Sequence, residues 1–106
     1  MQARILSSQL TEHLGRHVRL AGWVHRIRDL GGIRFLVLRD RAGMAQVVVP
    51  PAIDLGDTNC EWVVAVHGTC RPEARAPAGV EVLARRVETI APAEYGPRMR
   101  HLFFRW

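Results

Sequence analysis

An aromatic ring, a primary amide and several guanidinium groups fall close together in this sequence. Phe35 and Gln46 lie on neighbouring apolar segments, and Arg26, Arg28 and Arg39 flank them. If Leu36 and Leu38 turn into a core, strand alternation turns Ile33, Phe35, Val37 and Arg39 outward. In the next segment Ala45, Val47 and Val49 then turn in and Gln46 turns out, so Phe35 and Gln46 share an outer face. A ring there is a stacking surface for a base, the amide offers a donor side and an acceptor side to a base edge, and the guanidinium groups hold phosphates. That is the chemistry of a platform for single-stranded nucleic acid. A register shifted by one residue makes Phe35 a core residue instead, and alternation alone leaves both open.

The elements that must position these residues are mostly strands. Residues 17–28 read as a long half-buried strand, with Val18, Leu20, Gly22 and Val24 on one face and Arg19, Ala21, Trp23, His25 and Ile27 on the other. Gly22, near its middle, suits a strand that bends sharply. Turn signals at Asp29-Leu30-Gly31-Gly32 and Asp40-Arg41-Ala42-Gly43 separate second and third strands over 33–39 and 44–49, giving an antiparallel meander. Pro50-Pro51 ends it. Residues 52–59 are a connector with room for one helical turn, 62–69 a fourth strand, 71–79 an Ala/Pro loop and 80–90 a fifth strand. Ahead of them, residues 7–15 read as a short helix, capped by Ser7 or Ser8 and closed by Gly15. The expected fold class is all-β, a five-stranded antiparallel OB-fold barrel with a short N-terminal helix; an SH3-like barrel is the rival arrangement.

Composition sets the outer bounds. A chain of 106 residues suits one domain rather than two, and 48% hydrophobic with 24% charged residues is an ordinary globular balance. The expected division is a barrel domain over 1–92 and a tail over 93–106 whose Leu102-Phe103-Phe104-Arg105-Trp106 cluster needs a partner or a groove to cover it. All fifteen basic residues are Arg, and the net charge is +5. One reading makes this a replacement of Lys by Arg throughout, with the charge serving solvation. The other makes it an electrostatic footprint for phosphates, since Arg pairs bidentately and stacks on bases. Apolar runs such as 47–49 fall far short of the roughly 18 residues of a membrane span, and residues 1–10 do not read as a secretory leader, so a cytoplasmic protein is expected. Cys60 and Cys70 lack Cys-x-x-Cys spacing and only His67 falls between them, so both are expected to be reduced packing residues with no metal or other cofactor.

Taken as a string, Gly22-Trp23-Val24-His25-Arg26-Ile27-Arg28-Asp29-Leu30-Gly31-Gly32-Ile33-Arg34-Phe35, followed by Leu38-Arg39-Asp40-Arg41-Ala42-Gly43 and Gln46-Val47-Val48, resembles the N-terminal anticodon-binding domain of class IIb aminoacyl-tRNA synthetases, in particular the archaeal-type aspartyl enzymes. The resemblance runs over about residues 17–90. It implies that Phe35 faces outward and stacks on the central anticodon uridine, that Gln46 hydrogen-bonds that base, and that Arg28 and Glu81 help read its neighbours. His25 and Pro77 look like the pair found where the enzyme accepts both aspartate and asparagine tRNAs, the aspartyl type with relaxed specificity. Arg26, Arg39 and Arg71 are candidates for phosphate contacts that place the loop without reading it.

The departure from that family is the missing catalytic part. Its F-R-x-E motif and Gly-rich arginine motif for ATP and the aminoacyl adenylate do not occur, and neither does a phosphate-binding glycine loop or a Ser/His/Asp arrangement. No enzyme activity is expected of this chain. The expected partner is the anticodon stem-loop of tRNA(Asp), with tRNA(Asn) as a second, and the chain is expected to be a detached, stand-alone or truncated domain. A separate catalytic subunit, or self-association through the tail, would complete it. Two other functions compete: a general single-stranded nucleic-acid binder, and a protein-interaction module built on the tail.

Overall fold

The computed structural model describes residues 3–92, so the tail with its Leu102-Phe103-Phe104-Arg105-Trp106 cluster lies outside the described residues. The strands are β1 (Ala3–Ile5), β2 (His17–Leu30), β3 (Ile33–Asp40), β4 (Gly43–Val49), β5 (Val63–Pro72) and β6 (Val80–Ala91). They pair in the order β1-β2-β3-β4-β6-β5, and β5 returns to β2, which closes a five-stranded OB barrel with β1 attached outside the ring. Four of the ring's pairings are antiparallel and the β4–β6 pairing is parallel. β1 pairs in parallel with the start of β2, Ala3 opposite Val18 and Ile5 opposite Leu20. Three residues carry no readable periodicity, which is why alternation did not announce this strand.

Inward residues from every ring strand form one core. Val18, Leu20 and Val24 meet Leu36 and Leu38, Ala45, Val47 and Val49, Val64 and Val66, and Val80 and Val82. Each fully buried aliphatic side chain contributes about 1.5–3 kcal/mol relative to its exposed state. β3 and β4 follow the expected alternation throughout, with Leu36, Val47 and Val49 fully buried. On the other face of β2, Ala21 and Trp23 are also buried, in a second cluster with Val63, Ala65 and Ala91.

β2 departs from strict alternation at one point. Val24 lies opposite Leu38 but Arg26 lies opposite Val37, so His25 is an extra, bulged residue. The bulge reverses the phase of everything after it. Ile27, expected beside Trp23, instead pairs with Leu36 and packs on the core, and Arg26 and Arg28 turn to the outer face. The apolar spacing Val18, Leu20, Val24, Ile27 changes from even to odd at this place, which is the trace the bulge leaves in the sequence.

Closure depends on two close approaches. A Cβ on Gly22 would stand 2.4 Å from the Arg39 carbonyl oxygen, and one on Gly68 would stand 2.3 Å from that of Leu83. Only glycine lets these strands approach so closely. The β2–β3 turn is Gly31-Gly32, with φ of 64° and 92°, the left-handed geometry a two-residue hairpin requires.

The N-terminal helix is a 3-10 helix over Ser7–His13, and Gln9 rather than a serine closes its start, accepting from the Leu6 N–H at 2.8 Å. Ser7 is buried and donates both its N–H and its hydroxyl to Asp40, each at 2.7 Å. The same carboxylate accepts from the N–H groups of Ala42 and Gly43, so it shapes the β3–β4 turn and fastens the helix to it. Residues 50–62 form turns without the helical turn expected there. Arg34 holds this connector by donating to the carbonyls of Pro50, at 3.0 Å, and Ile53.

Candidate nucleic-acid interface

Two cross-strand rows run over the outer face of the barrel. In the first, Arg26, Val37, Gln46, Glu81 and Arg71 are successive register partners across β2, β3, β4, β6 and β5. In the second, Arg28, Phe35, Val48, Leu83 and Thr69 are partners in the same order. Register partners project on one side of a sheet within contact range, so residues scattered from 26 to 83 become neighbours.

The first row and the Arg28, Phe35 and Val48 part of the second line a groove of about 560 Å³. Its floor is apolar, made by Phe35, Val37 and Val48 and extended by Leu30 and Ile33 at the hairpin tip. Leu30 is 53% and Ile33 40% exposed, so the tip presents apolar surface to solvent. Arg26, Arg28, Arg71 and Arg75 line the groove with Gln46, Glu73 and Glu81. An apolar, part-aromatic floor between guanidinium groups accepts the face of an unstacked base while the cations take its phosphates.

Two acids, Glu73 and Glu81, lie within this basic surface, and Glu81 is the buried one. Glu81 is 4% exposed, and its two oxygens are both engaged: Gln46 Nε2 donates to Oε1 at 2.8 Å and Arg71 Nε donates to Oε2 at 2.6 Å. A buried carboxylate is costly unless paired and hydrogen-bonded, and these two donors meet that requirement. At the groove edge the Glu73 carboxyl is held below the usual carboxylate range by the backbone N–H of Arg75 and then by the Arg75 side chain.

Six of the residues picked from the sequence therefore share the groove: Phe35, Gln46, Arg28, Glu81, Arg26 and Arg71. Three do not line it. His25 is exposed at the bulge, Pro77 opens an exposed 3-10 turn (Pro77–Gly79), and Arg39 is exposed between Trp23 of β2 and Met44 of β4. Leu30, Val48, Glu73 and Arg75 line the groove without having been singled out. Val48 stands in an unbroken Val47-Val48-Val49 run, and its even spacing from Gln46 marks it as outward. Glu73 and Arg75 stand in a loop, where periodicity gives no signal. Cys60 is exposed and Cys70 buried, both as free thiols. Among the described residues no helix is long and apolar enough to cross a membrane.

Comparison with known proteins agrees with this fold. The chain is 42% identical over 90 residues to an aspartate–tRNA(Asp/Asn) ligase of Methanopyrus kandleri, a match covering 78% of this chain and 21% of that protein. It is 38% identical over 104 residues to the aspartate–tRNA(Asp/Asn) ligase of Haloquadratum walsbyi, covering 89% of this chain and 23% of that one. The chain thus spans between a fifth and a quarter of the length of these relatives. Among solved structures, asparaginyl-tRNA synthetase from Pyrococcus horikoshii superposes with a TM-score of 0.74 at 32% identity, over 83% of this chain and 23% of that one. An OBody bound to hen egg-white lysozyme shares the fold alone, with a TM-score of 0.73 at 20% identity over 84% of this chain and 95% of its own. The tRNA anti-codon family model, described as an OB-fold nucleic acid binding domain, matches residues 18–90, and the chain belongs to that family.

Proposed function

We propose that this domain binds the anticodon loop of tRNA(Asp), and of tRNA(Asn), in the cytoplasm, with the loop bases splayed over the groove. Phe35 stacks on the central uridine and Gln46 bonds its edge. Arg26, Arg28 and Arg71 contact phosphates or neighbouring bases. The observation that carries this reading is the juxtaposition of Phe35 and Gln46 on one apolar floor between arginines. Its relatives named for both tRNA(Asp) and tRNA(Asn) support the wider substrate range. The role of the chain on this reading is recognition, and it spans 21% of the length of the Methanopyrus kandleri ligase.

The test is a fluorescence-anisotropy titration with stem-loops carrying GUC, GUU and CUC anticodons at two salt concentrations, because phosphate contacts weaken with salt. Preference for GUC and GUU over CUC is the expected result. Equal binding of all three, which share the central uridine, would mean that the first base is not read, and no binding would overturn the reading.

A further inference from the structure

The residue that confers selectivity at the groove is not free to turn. Gln46 carries an acceptor oxygen and a donor nitrogen on one amide, and a freely rotating amide can offer either to a base. Its nitrogen donates to Glu81 Oε1 at 2.8 Å. A carboxylate only accepts, so the reversed amide would set oxygen against oxygen at a buried site, where an unmatched polar pair is costly. Arg71 Nε holds the other carboxylate oxygen at 2.6 Å and so fixes Glu81 itself. The three are consecutive register partners on β4, β6 and β5, so the backbone sets their spacing.

We infer that Arg71 and Glu81 are positioning residues that lock the Gln46 amide with its oxygen as the acceptor offered to the bound base. The lock makes this position selective for a base edge with an N–H donor at its centre, as uracil has at N3, and against cytosine, whose N3 is an acceptor. Glu81 on this reading acts through Gln46 rather than on a base of its own. The inference rests on the anticodon-binding reading and adds to it the cause of pyrimidine discrimination.

The experiment compares GUC and GCC stem-loops on the wild type, Glu81→Gln, Arg71→Ala, Arg71→Lys and Gln46→Ala. The wild type is expected to prefer the uridine loop by about tenfold. Glu81→Gln, whose own amide can donate or accept, should let Gln46 turn and bring the ratio near that of Gln46→Ala, while binding of the cytidine loop holds or improves. Arg71→Ala should reduce the ratio and Arg71→Lys should restore part of it. An unchanged ratio in a folded Glu81→Gln variant overturns the lock but leaves anticodon binding standing. A wild type that binds both loops equally overturns both. Because Glu81 is buried, side-chain NMR of the unmodified protein supplies a measurement that does not depend on a variant folding. The Gln46 amide protons should exchange slowly with water, and exchange as fast as an exposed glutamine's would overturn the lock whatever the RNA does.

Discussion

Arg28 and Phe35 are direct register partners across β2 and β3, and they meet on the outer face because His25 is bulged out of β2. Were His25 paired in the ladder instead of bulged, Arg28 would turn toward the core and Ile27 toward solvent. The bulge is a matter of residue count, not of the imidazole, which is exposed. His25→Ala should therefore leave stability within about 0.5 kcal/mol, as exposed substitutions do. Deleting His25 should also be tolerated, losing only the local bend, because Val24 and Arg26 already lie opposite the adjacent residues Leu38 and Val37 and the ladder then runs on in the same phase. Thermal melts followed by circular dichroism check both, and a deletion variant that fails to fold would refute this account of the register.

Phe35 is half-buried in the groove floor rather than in the core, so its ring is more useful to a ligand than to the fold. Phe35→Ala should weaken binding of a GUC stem-loop by about 1–3 kcal/mol, the range for a stacked base. The melting temperature should change little. A variant that loses stability but binds RNA normally would return Phe35 to a packing role.

Alternation left two registers open for Phe35 and Gln46, and the outward one holds from end to end because β3 and β4 run without a bulge about Leu36, Leu38, Val47 and Val49. β2 was legible only as far as Val24, since a period of two cannot anticipate an inserted residue, and the bulge is what brings Arg26 and Arg28, which strict alternation turns inward, to the groove. The partners of Glu81 were out of reach for a different reason. They come from the parallel β4–β6 pairing and from β5, contacts between segments far apart in the chain. A glutamate amid Val80, Val82 and Leu83 gives no hint that it is buried. Ser7 was misread as a cap for the same reason, its partner being Asp40.

That Ser7–Asp40 contact makes a stability prediction away from the groove. Asp40 is 5% exposed and accepts from Ser7, Ala42 and Gly43. Asp40→Ala leaves buried donors without a partner, a loss of about 1–3 kcal/mol. For a domain of this size each kcal/mol lowers the melting temperature by roughly 4–8 °C. Affinity for the stem-loop, measured well below the melt, should be unchanged, since Asp40 does not line the groove.

Gly68 tests the closure of the barrel. A methyl group there would meet the Leu83 carbonyl oxygen at 2.3 Å and Val82 Cγ1 at 2.7 Å. The nearer atom is backbone of β6 and cannot swing aside. Gly68→Ala should destabilise by about 1–3 kcal/mol or more, the cost of overpacking a filled interior. Denaturant melts measure it, and a loss no greater than about 0.5 kcal/mol would mean that β5 and β6 separate more easily than their register implies.

The pH prediction concerns the β5–β6 face. His67 Nε2 meets Glu88 Oε1 at 2.5 Å, and Arg86 donates to the same oxygen at 3.0 Å. The Glu88 carboxyl is held below its ordinary range, first by the His67 hydrogen bond and then by the charges of Arg86, His67 and Arg19. A carboxyl depressed in the folded state favours folding above its unfolded value of about 4.3, and that contribution disappears as pH falls through the folded value. The group is solvent-exposed, so the effect on a melt is small and the direct readout is better. In a pH titration of the Glu88 side-chain carboxyl by NMR, the midpoint should lie below the ordinary glutamate value and move up toward it in His67→Ala. A midpoint that His67→Ala leaves in place would show that the arginines, not the imidazole, hold the charge on Glu88.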